Sequence, residues 1–488
     1  MSAALSEQDV VGSIAAQLLI GGKWRDARSG RTLAVEDPST GATLAEVADA
    51  GADDALAALD AAAGAQDDWA RTAPRERGEI LRRAFEAMTA RSDELALLMT
   101  LEMGKPLAES RAEVAYAAEF FRWFAEEAVR IHGSYATAPD GAGRVVTMRQ
   151  PVGPSLFITP WNFPLAMGTR KIGPAVAAGC TMIAKPAKQT PLSMLALAEI
   201  LGDCGLPAGV LNILTASDPA AVTEPLLRDR RLRKLSFTGS TEVGRRLLAG
   251  AAENVLRTSM ELGGNAPFII FDDADVDAAV EGAMVAKMRN MGEACTAANR
   301  FLVAESASDA FTEALAERMG SLRVGRGTEP EVDVGPLIDQ PGRDKVSSLV
   351  ADALQRGAGA VVGGRSIDGD GYFYEPTVLA GVPRDAELLR QEIFGPVAPI
   401  VTFDDEDEMI AAANDTDYGL VAYVYTRDLR RALRVVERLE VGMVGLNQGK
   451  VSNPAAPFGG VKQSGLGREG GLDGINEYLE TKYVAVAL

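Results

Sequence analysis

The 488-residue chain has one histidine, His132, and three cysteines, Cys180, Cys204 and Cys295. A single imidazole cannot build a multi-histidine metal site, and no two cysteines form a CxxC pair, so we expect no metal centre. An odd number of cysteines also argues against a disulfide framework. Cysteine chemistry here is therefore that of a free thiol, and we expect proton transfer to depend on Glu, Asp or Lys side chains.

Basic residues are also scarce relative to acidic ones, 49 against 68, which gives a formal net charge of −19. The field of such a chain repels phosphate backbones and anionic lipid headgroups, so the composition argues against nucleic acid and membrane partners. The N-terminus lacks the basic region of a signal peptide. The uncharged run of residues 150–169 has about the length of a membrane span, but it contains four prolines. We therefore expect a cytoplasmic protein without a membrane-spanning segment.

The order of apolar and polar residues predicts an α/β fold. Residues 52–131 have the spacing of amphipathic helices, interrupted near Pro74 and at residues 104–106. From Ser155 onward, short apolar runs alternate with helical patterns, which is the rhythm of a doubly wound parallel sheet. A second α/β series follows Glu261.

Two glycine-rich segments imitate nucleotide-binding motifs. Residues 465–470 fit GxGxxG, but only 18 residues follow them, fewer than the roughly 30 residues of a dinucleotide-binding unit. Residues 239–244 have the glycine spacing of a P-loop, but Arg245 and Arg246 stand where Lys and Ser or Thr are required. We therefore expect a loop at the first segment. At the second we expect a strand-to-helix turn whose free N–H groups can hold a pyrophosphate.

Three clusters place polar residues where the fold alone would favour apolar ones: TPWNFP at 159–164, MELGGN at 260–265 and NMGEACTAANR at 290–300. The first lies at the carboxyl end of a predicted parallel strand, where open α/β sheets bind ligands. In the second, a carboxylate precedes two glycines that permit close backbone approach. Taken singly, each has an ordinary explanation, because cysteine is usually a buried apolar residue, a lone glutamate is usually solvated, and asparagine usually closes a proline-rich turn.

In their order along the chain, these motifs resemble those of the aldehyde dehydrogenase family, and the resemblance covers nearly the whole sequence. The matching segments are PWNFP at 160–164, KPAKQTPL at 185–192, FTGSTEVG at 237–244, MELGGNAP at 260–267, GEAC at 292–295, EIFGPV at 392–397 and PFGGVKQSGLGRE at 457–469. The resemblance implies a Rossmann-type cofactor domain, an α/β catalytic domain and a β oligomerisation arm, in a homodimer or homotetramer.

This resemblance also predicts the domain boundaries. The dinucleotide-binding domain would comprise residues 1–131 and 151–260, the catalytic domain residues 261–459, and the arm residues 132–150 and 460–488. Alternating residues before position 150 and in the C-terminal TKYVAVAL predict the strands of that arm. Such strands end in exposed edges that pair with a partner.

The resemblance assigns the chemistry to Cys295, Asn162, Glu261 and Lys171. Hydride can leave an aldehyde carbon only after that carbon becomes tetrahedral, so a nucleophile must add and later depart, and the Cys295 thiolate can do both. Asn162 and the Cys295 N–H would bind the oxyanion, and Glu261 would activate the water that hydrolyses the thioester. We expect burial to raise the pKa of Glu261 toward neutrality. Lys171 matches a lysine that assists the cofactor site and the proton relay.

The cofactor contacts implied by the resemblance include a ligand of the adenosine ribose at Lys185, a pyrophosphate turn at Gly239 and Ser240, and a carboxylate for the nicotinamide ribose at Glu392. The full predicted set is Thr159, Pro160, Trp161, Lys185, Ala187, Lys188, Gly239, Ser240, Leu262, Glu392 and Phe394. NAD-preferring relatives often have Glu at position 188, which binds a free 2′-hydroxyl and repels a 2′-phosphate. Because the chain has Lys188, we expect NADP to be preferred, with some use of NAD.

The segments around the motifs are most similar to those of succinate-semialdehyde dehydrogenases, which implies oxidation of succinate semialdehyde to succinate. Arg170 and Arg289 match two arginines that hold the substrate carboxylate, for which a planar guanidinium is suited, and Ser452 matches a third contact. The alternative for each arginine is a surface salt bridge. The alternative functions are oxidation of glutarate semialdehyde or a neutral aliphatic or aromatic aldehyde and, in another class, a catalytically silent dinucleotide-binding protein.

Two positions depart from the family pattern. Glu293 stands where relatives commonly have glutamine, so we expect an extra charge beside the nucleophile that can alter the pKa of the thiol. Ala297 stands where some members carry a second cysteine, so we expect no local disulfide switch. Cys180 and Cys204 match no motif, and we expect both in the core.

Overall fold

The structure, a computed structural model, describes residues 6–487. Its helices are α1 Glu7–Gly12, α2 Ala52–Arg71, α3 Pro74–Ala90, α4 Ser92–Met103, α5 Leu107–Glu127, α6 Ala166–Ala178, α7 Leu192–Asp203, α8 Pro219–Arg228, α9 Thr241–Ala252, α10 Val276–Met288, α11 Glu305–Gly320, α12 Gln340–Gln355, α13 Glu406–Asn414, α14 Leu429–Arg438 and α15 Gly471–Asn476. Short 3₁₀ turns cover Ala128–Arg130, Arg289–Gly292 and Glu387–Leu389.

The strands are β1 Leu18–Ile20, β2 Lys23–Arg25, β3 Thr32–Asp37, β4 Ala42–Ala48, β5 Ser134–Thr137, β6 Gly143–Pro151, β7 Ser155–Ile158, β8 Met182–Lys185, β9 Leu211–Ile213, β10 Lys234–Thr238, β11 Arg257–Glu261, β12 Ala266–Ile270, β13 Ala298–Ala304, β14 Gly359–Val362, β15 Thr377–Ala380, β16 Val397–Phe403, β17 Tyr418–Gly419, β18 Val421–Tyr425, β19 Met443–Leu446, β20 Val461–Lys462, β21 Gly465–Leu466 and β22 Leu479–Ala487.

The predicted helical stretch is confirmed, and its breaks have local causes. Pro74 is the first residue of α3, where its missing N–H removes no hydrogen bond. α4 ends at Gly104, whose φ of 92° lies in the left-handed region that glycine adopts without strain. A further break at Arg91 was not predicted. The apolar faces of α3, α4 and α5 pack on α6 and α7 in one core, which also buries Cys180 and Cys204 as expected, whereas the apolar face of α2 packs on α8 in a second core.

The first large sheet has the strand order β2-β1-β9-β8-β7-β10-β11-β21. The central strands from β9 to β11 are parallel, which confirms the predicted doubly wound sheet. On one side β1 joins these strands antiparallel and β2 forms the edge, and on the other side β21 forms the edge and is also antiparallel. β1 and β2 were not predicted, because strands of three residues carry too little periodicity to be recognised. The chain reverses its direction of winding between β7 and β10, the position at which such sheets bind ligands.

The second large sheet has the order β14-β15-β16-β13-β12-β18-β19, with only β14 antiparallel to its neighbour among the described residues. Every residue of β12 and β13 is buried, as is typical of parallel strands that are covered on both faces. Phe268 on β12 packs against the rings of Phe301, Phe311 and Tyr425 and forms the centre of this core.

A third sheet of three strands, β22-β6-β5, stands apart from both large sheets. Tyr135 on β5 and Tyr483 on β22 are 69% and 61% exposed, so its two outer strands present apolar surface as well as open edges. The three sheets support the predicted division into a cofactor domain, a catalytic domain and an arm, which we keep as a proposal. Within the segment assigned to the arm, β21 pairs with β11 of the first sheet rather than with β22.

Among residues 6–487, no helix combines the length and apolar content that crossing a bilayer requires.

Candidate active site

A cleft of ≈ 250 Å³ lies where the two large sheets meet. It is lined by Pro160, Trp161, Asn162, Met167, Thr238, Gly239, Ser240, Glu261, Leu262, Gly263, Glu293, Cys295, Ile338, Asp339, Gly342, Lys345, Glu392, Ile393 and Phe394. Most predicted catalytic and cofactor-binding residues are in this set. The predicted residues outside it are Thr159, Arg170, Lys171, Lys185, Ala187, Lys188, Arg289 and Ser452.

Parallel strand ends explain why separate motifs meet here. Asn162 follows β7, Gly239 follows β10, and Glu261 ends β11, so the first sheet contributes its carboxyl edge. Cys295 precedes β13 and Glu392 precedes β16, so the second sheet contributes its amino edge. The site is therefore assembled from facing edges of two sheets rather than from one.

The nucleophile candidate follows a strained turn. Asn290, Met291 and Gly292 have φ values of 55°, 55° and 79°, all in the left-handed region. A Cβ at Gly292 would lie 2.2 Å from a neighbouring carbonyl oxygen, so no other residue fits there without a shift. The Asn290 side chain supports the turn by donating from Nδ2 to the Glu293 carbonyl oxygen at 2.8 Å. The turn fixes the backbone immediately before Cys295.

The predicted close approach at the paired glycines is confirmed at Gly264. A Cβ on this residue would lie 2.5 Å from the carbonyl oxygen of Cys295. The Gly264 N–H donates to Glu392 Oε1 at 3.2 Å. Because Gly264 has no side chain, the turn after β11 contacts both the backbone of Cys295 and the carboxylate of Glu392.

The Cys295 thiol lies in a desolvated, anionic environment. Burial raises its pKa to about 12, the charges of Glu392 and Glu261 raise it as well, and Arg170 and Arg289 oppose them. The Cys295 thiol is therefore protonated at neutral pH.

Hydrogen bonds fix the orientation of the Asn162 amide. Its Oδ1 accepts the Phe163 N–H at 3.1 Å, and its Nδ2 donates one N–H to the Glu293 carbonyl oxygen at 3.0 Å. A primary amide has two N–H groups, so one remains for a ligand in the cleft that Asn162 shares with Cys295.

Glu261 is a buried carboxyl without a hydrogen bond. It is 3% exposed, and neither oxygen has a partner among the described residues. Burial raises its pKa well above the ordinary value, as expected, and the nearby charge of Glu469 raises it further, while Arg170 and Lys171 lower it.

Lys171 and Arg170 share the carboxylate of Glu469 behind the cleft. Lys171 Nζ donates to Glu469 Oε1 at 2.5 Å and to Ser236 Oγ at 2.9 Å. Arg170 Nε lies 2.7 Å from Glu469 Oε2, and its guanidinium lies 4.0 Å from the centre of the Phe458 ring. The charge of Arg170 is thus already matched by Glu469, a residue that sequence reasoning did not single out.

Arg289 and Ser452, predicted as substrate contacts, lie together. Arg289 Nη1 donates to Ser452 Oγ at 3.0 Å, and its guanidinium lies 4.8 Å from the Phe163 ring centre and 5.7 Å from that of Tyr116. Burial raises the pKa of Tyr116, while the charges of Arg170 and Arg289 and the Ser452 hydroxyl oppose that rise. Tyr116 was missed because it lies mid-helix with nothing in its sequence context to mark it.

The predicted adenosine end of the cofactor site is basic. Lys185 is buried, and its Nζ donates to the Pro186 carbonyl oxygen at 3.1 Å. Burial lowers the pKa of Lys185 to about 8, and the charge of the exposed Lys188 lowers it further. Two neighbouring ammonium groups suit a phosphorylated ligand. Thr159 is buried behind this pair and donates its N–H to the Lys185 carbonyl oxygen at 3.2 Å, and Ala187 is half-buried beside Lys188.

The turn after β10 has the geometry of an anion site. Ser240 is the N-cap of the 12-residue helix α9, and its Oγ accepts the Val243 N–H at 3.4 Å. Gly239, whose N–H donates to the Glu261 carbonyl oxygen at 3.1 Å, lines the cleft together with Ser240. The helix dipole and the remaining N–H groups can hold a pyrophosphate.

The other end of the cleft combines a carboxyl group with aromatic walls. The rings of Trp161 and Phe394 meet edge to face, with centres 5.4 Å apart, and Leu262 adds apolar surface. Burial raises the pKa of Glu392 to about 7, and the charge of Lys345 lowers it. Lys345, like the rest of the segment 338–345, was not predicted, because it follows a loop that has no recognised motif.

Glu293 lines the cleft together with Cys295, and its carboxyl has a partner on the far side of the loop. Its Oε1 accepts the Ile338 N–H at 3.1 Å. Burial raises the pKa of Glu293 well above the ordinary value, and the Ile338 N–H opposes that rise. The effect of this carboxyl on the Cys295 thiol stays a prediction.

Comparison with known proteins agrees with this site. Residues 24–484 match the sequence model of the Aldehyde dehydrogenase family. A succinate-semialdehyde dehydrogenase of Paenarthrobacter nicotinovorans is 62% identical over 444 residues, covering 91% of this chain and 99% of that protein. The Escherichia coli (strain K12) protein named succinate-semialdehyde dehydrogenase NADP(+) GabD is 50% identical, covering 97% of this chain and 98% of its own length. The crystal structure of succinate-semialdehyde dehydrogenase from Burkholderia pseudomallei superimposes with a TM-score of 0.97 at 49% identity over 100% of both chains.

The high pKa of Cys295 predicts the pH dependence of its alkylation. Below the pKa, the thiolate fraction rises about tenfold per pH unit, so iodoacetamide should modify the cofactor-free protein about 100 times faster at pH 9 than at pH 7. Mass spectrometry of the Cys295 peptide measures the rate, and Cys295→Ala gives the background from Cys180 and Cys204. A rate that levels off below pH 8 would contradict this prediction.

Proposed function

The chain belongs to the aldehyde dehydrogenase family, and from this premise we propose that it oxidises succinate semialdehyde to succinate. NADP is the preferred hydride acceptor, with some use of NAD. The observation that carries the proposal is that a thiol, an amide N–H and an unpaired carboxyl, from Cys295, Asn162 and Glu261, line one cleft with a helix N-terminus. These are the groups that addition, oxyanion binding and thioester hydrolysis require.

In the first half of the reaction, the Cys295 thiol loses its proton to solvent, and its sulfur bonds to the aldehyde carbon as the carbon–oxygen π bond breaks. The carbonyl oxygen becomes an oxyanion, to which Asn162 donates its free N–H. Arg170 and Arg289 supply positive charge that favours loss of the thiol proton. Bound NADP would supply the hydride acceptor, after which the substrate carbon remains attached to Cys295 as a thioester.

In the second half, Glu261 takes a proton from the water that attacks the thioester, and the Cys295 thiolate departs from the carboxylate product. Burial raises the pKa of Glu261, which makes its carboxylate a stronger base than an ordinary glutamate. Lys171 and Arg170 hold Glu469 and, through their charges, keep the pKa of Glu261 from rising further.

The cofactor assignment is supported by the basic pair Lys185 and Lys188 outside the cleft lining and by the carboxyl group of Glu392 within it. Lys185 and Lys188 would hold the adenosine ribose and its 2′-phosphate, Gly239 and Ser240 the pyrophosphate, and Glu392 the nicotinamide ribose. The relative from Escherichia coli carries NADP(+) in its name, which agrees with this choice.

The substrate assignment is supported by Arg289. Its guanidinium is hydrogen-bonded to Ser452 and lies beside two aromatic rings. It can therefore bind a carboxylate in a partly desolvated site. Arg170 is not assigned a direct contact to the substrate carboxylate, because Glu469 already pairs with it. Its positive charge lowers the pKa of the Cys295 thiol.

Assembly through the three-stranded sheet is part of the proposal. Its outer strands β5 and β22 have open edges and exposed tyrosines, so a homodimer or homotetramer would cover them. The cytoplasmic location stays a prediction.

A substrate panel tests the proposed function. Reduced-cofactor formation should give the highest kcat/KM with succinate semialdehyde, ahead of glutarate semialdehyde and butanal. Mass spectrometry of the enzyme during turnover should detect an acyl adduct on Cys295. The Cys295→Ala variant should show neither turnover nor this adduct. A higher kcat/KM for butanal, or full activity of Cys295→Ala, would refute the proposal.

Lys188→Glu should reverse the cofactor preference. Loss of one charge-assisted hydrogen bond to the 2′-phosphate lowers kcat/KM with NADP relative to NAD by about tenfold or more. Steady-state rates at saturating aldehyde measure the ratio. Lys23→Glu, which makes the same charge change on the exposed edge strand β2, should leave it unaltered. If the ratio of kcat/KM with NADP to kcat/KM with NAD is unchanged in Lys188→Glu, Lys188 does not contact the 2′-phosphate.

Arg289→Gln should raise KM for succinate semialdehyde by about tenfold or more, because a charged contact to its carboxylate is lost. KM for butanal, which has no carboxylate, should change little. The matched control is Arg122→Gln, whose guanidinium lies 5.6 Å from the Phe85 ring on the outside of α5. Equal effects on the two aldehydes would show that Arg289 does not recognise the carboxylate.

A further inference from the structure

A buried ion pair outside the cleft contacts the segment that carries Asn162. Lys105 and Glu113 are 0% and 2% exposed, and Lys105 Nζ lies 2.6 Å from Glu113 Oε2. Lys105 follows the left-handed Gly104 at the end of α4, and Glu113 lies on α5. Neither residue lines the cleft, and neither was singled out from the sequence.

The pair holds the Asn162 segment at two points. Lys105 Nζ donates to the Asn162 carbonyl oxygen at 2.7 Å. Glu113 Oε1 accepts the N–H groups of Leu165 and Ala166 at 3.0 and 3.1 Å. These are free N–H groups at the start of α6, a helix whose own N-cap residue makes no side-chain cap. One ion pair thus holds the middle of the turn between β7 and α6, at Asn162, and its end at the start of α6.

A second donor completes the support of Asn162. Asn290 Nδ2 donates to the same Asn162 carbonyl oxygen at 3.1 Å. With its carbonyl held by Lys105 and Asn290 and its Oδ1 held by the Phe163 N–H, the peptide and the amide of Asn162 are fixed together.

Stability alone does not account for the pair. Desolvation of two buried charges is offset only in part by their attraction, so apolar residues of similar volume often serve as well. Glu102 caps α7 in the same way as Glu113 caps α6, accepting the Leu192 and Ser193 N–H groups at 2.7 and 2.9 Å. No ion pair of the described residues involves Glu102. The difference between the two caps is Lys105, which pairs with Glu113 and also donates a hydrogen bond to the Asn162 carbonyl oxygen.

We propose that Lys105 and Glu113 are positioning residues that aim the free N–H of Asn162 at the oxyanion formed on Cys295. This inference rests on the proposed function, because it takes Asn162 as an oxyanion donor.

A double-mutant cycle tests the inference. The readout is the single-turnover rate of reduced-cofactor formation with the aldehyde that the wild type oxidises best. Lys105→Met should lower this rate about 100-fold, because a displacement of ~1 Å can cost a catalytic group that much. In the Asn162→Ala background the same substitution should lower it by less than about threefold, because no donor remains to be positioned. Equal losses in both backgrounds would overturn the inference.

Glu113→Gln provides a second cycle if Lys105→Met does not fold. Glutamine can still accept the Leu165 and Ala166 N–H groups but loses the charge that holds Lys105, so we expect the same dependence on Asn162. Glu102→Gln is the matched control for a buried helix cap and should stay within about twofold of the wild-type rate. A loss in Glu102→Gln as large as that in Glu113→Gln would also overturn the inference.

Two further measurements distinguish a positioning role of the pair from a general loss of structure in the variants. The dissociation constant of NADP and the alkylation rate of Cys295 should remain within about twofold of wild type in Lys105→Met and Glu113→Gln, since neither contacts those groups. Large changes in both the dissociation constant of NADP and the alkylation rate of Cys295 would show that the pair has only a structural role. Failure of succinate semialdehyde as a substrate would contradict the proposed function alone, because the cycle can be measured with another aldehyde.

Discussion

Desolvation of ionisable side chains where the two large sheets meet is the constraint on which the site depends. Burial is the largest cause of the raised pKa at Cys295, Glu261, Glu293 and Glu392 alike. The cleft therefore combines a weakly acidic thiol with weakly acidic carboxyl groups. The cations that lower the pKa of this thiol are held in place by partners, Arg170 by Glu469 and Arg289 by Ser452.

The two sheets contribute in different ways. The first sheet contributes its carboxyl edge, where the N-terminus of α9 and the neighbouring lysines Lys185 and Lys188 carry positive charge. The second sheet offers its amino edge, where the strained turn before Cys295 and the close contact with Gly264 fix the nucleophile. Because the candidate reacting groups come from opposite sides, their separation depends on hydrogen bonds that cross the cleft, from Asn162 Nδ2 to the Glu293 carbonyl oxygen and from Asn290 Nδ2 to the Asn162 carbonyl oxygen.

Sequence reasoning succeeded where a motif lies next to a strand end. PWNFP, FTGSTEVG and MELGGN follow or end parallel strands, and the edge of a parallel sheet brings such positions together. It failed for β1 and β2, which are too short to show a period. It also failed for Tyr116, Lys105 and Glu469, because the contacts that link them to the site, such as Lys105 to Asn162 and Glu469 to Arg170, join distant parts of the sequence.

The sequence by itself determined the fold class, the parallel core of the first sheet, and the identity of the nucleophile, amide and carboxyl candidates, because periodicity and motif order are local properties. Only the tertiary structure decided which cations are free. Arg170 and Arg289 are indistinguishable as residues in a sequence, yet a buried carboxylate pairs with Arg170, whereas a hydroxyl and two aromatic rings surround Arg289. Charge availability depends on what is packed within a few ångströms, and those neighbours come from distant parts of the chain.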